Sequence, residues 1–182
     1  MEWPKRTKKV NTEEISLMSD KQYFQDHMPG DVCFGCGTKN EKGLKIHSFW
    51  RDDIAMCHWK PKQHHEGWAD LTCGGIIASL VDCHCIATAM ATAIRNENRE
   101  LDSEPHYLFA TGSLNIMYLK PTPIDAEMRL EAQVTRIKNE KKYTVSCNVF
   151  VGDEQTAKAE VIALLVYRSD RPEEAAEVFR QA

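Results

Sequence analysis

The sequence lacks an excess of positive charge. Its 23 lysines and arginines are outnumbered by 27 aspartates and glutamates, which gives a formal net charge of −4 at pH 7. A protein that binds nucleic acid normally presents a basic surface to the phosphates. The one basic cluster lies near the start of the chain, where a solvated tail accounts for it: Lys5, Arg6, Lys8 and Lys9. We therefore expect no nucleic-acid partner.

The sequence also lacks the features of a small exported protein held together by disulfides. Its cysteines number seven, an odd count, and they are scattered through apolar segments instead of framing a loop-rich chain. No charged segment followed by an apolar one opens the sequence, as it would in a signal peptide. We expect a cytoplasmic protein with reduced cysteines.

The cysteine spacing does not predict a metal site. Cys33-x-x-Cys36 is one half of a zinc pattern, and Cys83-His84-Cys85 resembles a second half. On a helix, however, residues 83 and 85 point about 200° apart, so they cannot bind one ion together. We therefore predict that no metal is bound.

One long run lacks charge almost entirely. Residues 74–93 are nearly all apolar, and a helix of that length would span a bilayer. Asp82 and His84 lie near the centre of the run, and an ionised Asp at mid-bilayer is costly. We therefore predict a buried helix of a soluble domain and no membrane span.

The remaining composition is that of one globular domain. The chain has 182 residues, of which 42% are hydrophobic and 27% charged, and these values exclude a disordered or fibrous chain. We predict an N-terminal arm over residues 1–30, with one or two helical turns within 13–27. The domain proper follows over residues 31–169. A C-terminal tail with a final exposed helix covers residues 170–182.

Alternating apolar and polar residues predict strands on both sides of the apolar helix. Two strands precede the helix, at 44–51 and 54–60, and four follow it, at 108–119, 128–135, 143–151 and 157–167. Short connections between the later strands suit antiparallel hairpins. A helix that is apolar on nearly all sides must be covered on nearly all sides. We therefore predict an α+β fold in which an antiparallel sheet of about six strands wraps around one long central helix.

The candidate chemistry lies at the start of this helix and near its middle. Gly74-Gly75 leaves the first backbone N–H groups uncovered by side chains, and the helix dipole there favours negative charge. Such a site suits the oxyanion of an acyl transfer. The alternative is that the glycines only allow close packing against a strand.

Asp82 is the second candidate. A carboxylate in an apolar helix is either a structural residue with a polar partner or a general base or nucleophile whose reactivity depends on partial burial. Gly74 and Asp82 are about 12 Å apart along the helix, so one carbonyl group cannot touch both. If both act on one substrate, a second subunit must bring its helix alongside in the antiparallel direction.

The helix start resembles that of a known family. Residues 73–82 read Cys-Gly-Gly-Ile-Ile-Ala-Ser-Leu-Val-Asp. This is similar to the His-Gly-Gly-x-x-Ala-x-x-x-Asp helix start of the hotdog-fold acyl-CoA thioesterases of the PaaI-like, phenylacetate-degradation group. Three further segments agree, over about residues 33–167: Cys33-Phe34-Gly35-Cys36-Gly37 with Asn40, Gly43 and Leu44; His65-Glu66-Gly67-Trp68; and Ser113-Leu114-Asn115-Ile116-x-Tyr118-x-x-Pro121.

The resemblance implies a role for several residues. Asp82 would activate water or attack the thioester carbonyl, Gly74 of the facing subunit would polarise that carbonyl, and Thr111 would help to orient the water. The remaining substrate-side candidates are Cys73, Gly75, Trp68, Asn115 and Lys120, of which Lys120 would meet a CoA phosphate. CoA enters only as part of the substrate, and no separate cofactor is implied.

One departure from the family pattern keeps alternatives open. Cys73 stands where the family has a histidine, and a thiol is a weak hydrogen-bond donor. The leading prediction is an acyl-CoA thioesterase that acts as a homodimer or as a dimer of dimers. The alternatives are a non-catalytic acyl-CoA or acyl-lipid binding protein on the same fold and, with less support because His84 does not match the expected position, a hotdog dehydratase.

Overall fold

The computed structural model describes residues 22–29 and 32–176. One α-helix, α1 (Gly74–Asn96), packs against a six-stranded antiparallel sheet. The strands of this sheet are β1 (Ser48–Arg51), β2 (Ile54–Trp59), β5 (Tyr107–Tyr118), β6 (Met128–Lys138), β7 (Lys142–Val151) and β8 (Glu154–Arg168). A small hairpin of β3 (Glu66–Trp68) and β4 (Leu71–Thr72) precedes the helix. The predicted α+β architecture is confirmed.

The sheet order is β1-β2-β6-β7-β8-β5, with every neighbouring pair antiparallel. The last three sequential strands pair as hairpins, so short turns fix their register. The strand that follows the helix, β5, pairs with β8 and forms one edge of the sheet. The residues at that edge are therefore free to meet another molecule.

Helix α1 forms the centre of the core. From Leu80 to Ile94 nearly all of its side chains are buried, and they pack against the inner faces of β5, β6, β7 and β8. Among the described residues α1 alone is long and apolar enough to cross a membrane, and it is buried as the core helix of a soluble protein is. The helix continues three residues beyond the predicted end at residue 93 and closes with Arg95 in its last turn, where a cation favours the helix dipole.

Several predicted boundaries shift. The strand predicted to begin at residue 44 begins at Ser48, because the preceding residues bond to a neighbouring loop: the N–H of Leu44 donates to Phe34 O and that of Ile46 to Gly35 O. β6 is longer than predicted at its end, and β8 begins earlier than predicted. The β3–β4 hairpin lies in a segment predicted to be a loop.

The end of the predicted arm packs onto the domain. Phe24–His27 forms a 3-10 helix, and the Phe24 side chain is fully buried beside the ring of Trp50. Helical turns were predicted within residues 13–27. Residues 13–21 of that segment lie outside the described residues. In the C-terminal tail, Pro172–Glu174 forms one 3-10 turn, and residues 177–182 lie outside the described part.

A buried polar chain joins this 3-10 helix to β1 and α1. His84 is fully buried, and its Nε2–H must donate to the Ala55 carbonyl at 3.2 Å, since a carbonyl only accepts. The Ser48 hydroxyl therefore donates to His84 Nδ1 at 2.8 Å, and Gln25 Nε2 donates to that hydroxyl oxygen. Burial lowers the pKa of His84 to about 4, so the ring is neutral. A ring enclosed in this way cannot touch a substrate, which argues against the dehydratase alternative.

Candidate active site

Asp82 and Thr111 form a hydrogen-bonded pair between α1 and β5. The Thr111 hydroxyl donates to Asp82 Oδ1 at 2.6 Å. Among the described residues no donor bonds the other carboxylate oxygen, Oδ2. Thr111 is exposed in the single chain, and Asp82 is half-buried. One oxygen of the carboxylate is therefore fixed, and the other is available to a water molecule or a substrate.

The surroundings of Asp82 make it a stronger base. Burial raises the pKa of its carboxyl group, the Thr111 hydrogen bond opposes that rise, and the nearby Cys33 adds to it. A carboxylate with a raised pKa, beside a cavity, is a typical candidate for proton transfer. The alternative of a purely structural Asp82 has its polar partner in Thr111, but it leaves Oδ2 without a role.

A cavity of about 220 Å³ opens beside this pair. Asp82 and Thr111 form part of its wall, and apolar side chains form another part: Met28, Pro29, Ile86, Leu108 and Phe109. Such a mixture of a few polar groups and an apolar wall is characteristic of small-molecule sites. The cavity can hold an apolar group next to the carboxylate.

The start of α1 offers unpaired backbone N–H groups. Cys73 is the residue before the first helical position, and its side chain makes no capping hydrogen bond. The N–H groups of Gly74 and Gly75 have no acceptor among the described residues, which is usual for the first turn of a helix. The Tyr118 hydroxyl donates to the Gly74 carbonyl at 2.7 Å and so ties the end of β5 to the helix start.

Close packing does not explain the two glycines. A Cβ built at Gly74 would lie 3.4 Å from the Tyr118 ring, and one at Gly75 would lie 3.7 Å from Cys73 Sγ, both ordinary contacts. Gly67 differs, because its Cβ would lie 2.9 Å from Cys73 Cα, which is too close. A Cβ is accommodated at both positions within the single chain, so packing inside the chain does not require glycine there.

The predicted site residues fall into separate places within one chain. Asp82 and Thr111 meet, whereas Gly74, Gly75 and Cys73 lie about two helical turns away along α1. Trp68 is 81% exposed on β3, and Asn115 is exposed on β5. Lys120 is exposed and forms an ion pair with Glu154, so any phosphate would compete with that carboxylate.

Two features of the site were missed from the sequence. One is Tyr118, which belongs to a recognised motif but shows its contact with Gly74 only in the fold. The other is a cluster of three thiols, since the sulfur atoms of Cys33, Cys36 and Cys83 all lie within 4.8 Å of one another. In the sequence Cys83 and Cys85 resembled a second half of a zinc pattern, but the fold brings Cys83 alone to the Cys-x-x-Cys segment. The Cys-x-x-Cys segment was the one sign of this thiol cluster in the sequence.

Two thiols of this cluster, those of Cys33 and Cys83, have pKa values shifted in opposite directions. The pKa of Cys33 is lowered to about 4, first because the Cys83 thiol donates to its sulfur and further because the N–H groups of Gly35 and Cys36 point to it, while burial acts in the other direction. The pKa of Cys83 is raised by the same contact, by Cys36 and by burial. Of these two cysteines, Cys33 therefore becomes a thiolate more readily.

Several solved structures resemble this fold, although no family model matches the chain. A thioesterase superfamily protein from Shewanella loihica is 30% identical, with 67% of this chain and 91% of that chain covered and a TM-score of 0.55. The PaaI protein of the phenylacetic acid degradation operon of Escherichia coli is 12% identical, with 68% and 81% covered and a TM-score of 0.55. A Streptococcus mutans protein bound to acetyl CoA is 13% identical, with 66% and 87% covered and a TM-score of 0.54. The last two likenesses concern the fold alone.

Proposed function

The chain belongs to the thioesterase superfamily, and from this premise we propose that it hydrolyses acyl-CoA thioesters to the free acid and CoA at an active site formed between two copies of the chain. The observation that carries the proposal is the Asp82–Thr111 pair beside an apolar cavity. The proposed reaction needs no organic cofactor. A cytoplasmic location, where CoA thioesters would be available, is part of the same proposal.

In the proposed reaction Asp82 acts as the general base. Its Oδ2 accepts a proton from water while the water oxygen attacks the thioester carbonyl carbon. The Thr111 hydroxyl holds Oδ1, so that the carboxylate keeps one orientation. Collapse of the tetrahedral intermediate breaks the carbon–sulfur bond and releases the acid and the CoA thiolate. The proton that Asp82 took from the water then passes to the thiolate, which leaves as the thiol, and the carboxylate is regenerated.

The developing negative charge on the carbonyl oxygen requires a donor. The N–H of Gly74 is suitable, since it lies at the positive end of the helix dipole and has no acceptor among the described residues. It is about 12 Å from Asp82 of the same helix, so it cannot serve that carboxylate's substrate. The proposed donor is therefore Gly74 of the partner subunit.

Two surfaces support an antiparallel pairing of two copies. The edge strand β5 is exposed over most of its length and carries exposed apolar side chains at Leu114, Met117 and Tyr118. A long apolar edge of this kind invites pairing with another chain. On α1, most of the less buried positions before Asp82 are small, among them Gly75, Ala78 and Ser79, with Ile76 as the larger exception, so a second helix can approach closely along the small ones.

The substrate class follows from two considerations. The apolar wall of the cavity suits the acyl group, which would place its carbonyl next to Asp82. A structural neighbour, the Streptococcus mutans protein, is bound to acetyl CoA, and this supports a CoA thioester as the ligand here.

The direct test is release of CoA thiol from a panel of acyl-CoAs that differ in chain length. We expect wild-type protein to release thiol and Asp82→Asn to lose at least about a hundred-fold in kcat, as expected for removal of a general base. Asp153→Asn, in the exposed β7–β8 turn, is the matched control and should keep wild-type activity. Equal turnover by Asp82→Asn and wild type would show that Asp82 does not have this role.

A second candidate function is a non-catalytic acyl-CoA binding protein. The observation in its favour is Cys73, which supplies no strong donor at the helix start and makes no capping bond. This candidate predicts that acyl-CoAs raise the melting temperature without any thiol release. The turnover assay therefore separates the two functions.

A further inference from the structure

Three cysteine sulfurs converge at one wall of the cavity. Cys33 and Cys36 come from the loop before β1 and Cys83 from α1, and their sulfur atoms lie within 4.8 Å of one another. The sulfurs of Cys33 and Cys83 are 3.8 Å apart. With Zn–S bonds of about 2.3 Å and tetrahedral angles, two sulfurs bound to one zinc ion lie about 3.8 Å apart. The spacing of this pair therefore already suits a zinc ion.

The loop is shaped around the sulfurs. In Cys33-Phe34-Gly35-Cys36-Gly37, the N–H of Gly37 donates to Cys33 O at 2.9 Å and closes a tight turn. A Cβ at Gly35 would collide with Cys83 Sγ, so a glycine is needed where the loop meets the helix.

The loop is also held in place by bonds that do not involve sulfur. The N–H of Leu44 donates to Phe34 O at 2.9 Å, and that of Ile46 donates to Gly35 O at 3.1 Å. The Asn40 side chain donates to Val32 O at 3.2 Å. The three thiols are therefore brought together by the protein before any ion binds.

We propose that Cys33, Cys36 and Cys83 bind one zinc ion per chain, with a fourth coordination position directed to the cavity that contains Asp82. Soft thiolate ligands select zinc over magnesium or calcium. All three cysteines line the cavity, so the fourth position is accessible to water or to another small ligand. A disulfide would use only two of the three sulfurs and would leave the third without a role. The proposal replaces the prediction of no metal, which rested on Cys83 and Cys85 as a pair.

The site would join the loop to the helix next to the candidate base. Cys83 directly follows Asp82 in α1, so an ion held by Cys83 and the loop would fix this part of the helix against the cavity wall. Binding displaces the thiol protons, so affinity should fall in acid. The proposal does not depend on the identity of the substrate.

The test is the metal content of full-length protein purified under reducing conditions. We expect about one zinc per chain in wild type and at least a ten-fold lower content in Cys36→Ala, because zinc loses one of its thiolates. Cys147→Ala is the matched control, since Cys147 is a buried cysteine of β7 outside the cluster, and its zinc content should equal that of wild type.

A second measurement does not depend on any variant. Cobalt added to metal-free wild-type protein should give a sulfur-to-cobalt charge-transfer absorption with the intensity expected for three thiolates, and zinc should displace it. Absence of both bound zinc and this absorption would overturn the proposal. A mass lower by two hydrogens in the purified protein, which indicates a disulfide within the cluster, would also overturn it, as would equal loss of zinc in Cys147→Ala.

Discussion

Thr111 on β5 donates a 2.6 Å hydrogen bond to Asp82 on α1, although 29 residues separate them in the sequence. The bond joins the edge strand to the central helix at the point where the helix carries its carboxylate. It restrains one oxygen of Asp82 and leaves the other free for chemistry. Thr111 is therefore a positioning residue in the proposed reaction, and Asp82 is the catalytic one.

Removal of the Thr111 hydroxyl should lower the turnover number. We expect Thr111→Val, which keeps the shape of the side chain, to reduce kcat about ten-fold, because a hydrogen bond to a charged group contributes about 1.5 kcal/mol. Thr111→Ser keeps the hydroxyl and should restore most of the loss. Steady-state thiol release with both variants gives the comparison, and equal kcat values for Val and Ser would show that the hydroxyl has no part in catalysis.

The role of the Gly74 N–H can be tested by removing only that donor. Proline lacks the N–H and is well accepted at the first position of a helix. Cys73, the preceding residue, has φ −59° and ψ 131°, a conformation that suits a residue before proline. Gly74→Pro should therefore fold normally and lose about a hundred-fold in kcat, the typical effect of deleting an oxyanion donor.

Gly74→Ala is the matched partner of this variant, because it adds a methyl group but keeps the N–H. The space at Gly74 accepts a Cβ at ordinary contact distance. We expect it to lose much less activity than Gly74→Pro, with similar melting temperatures for the two. If proline and alanine have equal effects, the N–H is not the donor.

The proposed dimer should dissociate when a charge is placed on the edge strand. Met117 is 54% exposed on β5 and lies opposite Lys158, so Met117→Asp gains a cross-strand partner within its own chain. At an interface the same carboxylate would be partly buried, and we expect at least about a hundred-fold weaker association. Sedimentation velocity over a range of concentrations measures this.

The control for that experiment is Ile137→Asp. Ile137 is an exposed apolar residue near the end of β6, away from the β5 edge. The Ile137→Asp variant should associate into dimers as tightly as wild type. Equal association by Met117→Asp and wild type would place the interface on another surface.

Stability should depend on pH through His65. Burial, together with the positive charges of His64 and Lys62, lowers the pKa of His65 below its ordinary value of 6.5. The ring accepts the N–H of Lys62 at Nδ1, at 2.9 Å, and protonation would abolish that bond. The unfolded chain takes up the proton near pH 6.5, so it binds more protons than the folded chain just below that pH, and the free energy of unfolding falls as the pH is lowered.

Urea unfolding of wild type and His65→Gln at a series of pH values isolates this contribution. The difference in the free energy of unfolding between wild type and His65→Gln should be largest at neutral pH and should shrink as the pH falls below about 6.5. His58→Gln, at the surface of β2, is the control for loss of a histidine. If the difference in the free energy of unfolding between wild type and His65→Gln does not change with pH, His65 is not the source of the pH dependence.

The sequence predicted the architecture because its patterns are strong. The uncharged run around Asp82 could only be a covered helix, and the period-two strands after it could only cover that helix as a sheet, which the fold confirms. The resemblance to thioesterases is confirmed by the Shewanella loihica relative. The resemblance implied that Thr111 orients the attacking water. In the fold its hydroxyl bonds the carboxylate of Asp82, a contact that spacing within the sequence could not have shown.

Other features depend on how distant segments meet. The thiol cluster arises because the loop of Cys33 and Cys36 lies on α1 at Cys83, and no local pattern encodes that approach. The pairing of Lys120 with Glu154 is likewise set by the register at the ends of β5 and β8. Phe24 was predicted to lie in an N-terminal arm with one or two helical turns, and the sequence did not show that its aromatic side chain fits into the core.

The central claim, an active site shared between two chains, is tested most directly by complementation. Asp82→Asn and Gly74→Pro chains, each with its own affinity tag, can be co-expressed and purified through both tags as a mixed dimer. In a symmetric dimer with shared sites, one site then has both intact residues and the other has neither, so we predict about half of the wild-type activity from two nearly inactive parents. A mixed dimer no more active than its parents would show that Asp82 and Gly74 do not act across the interface.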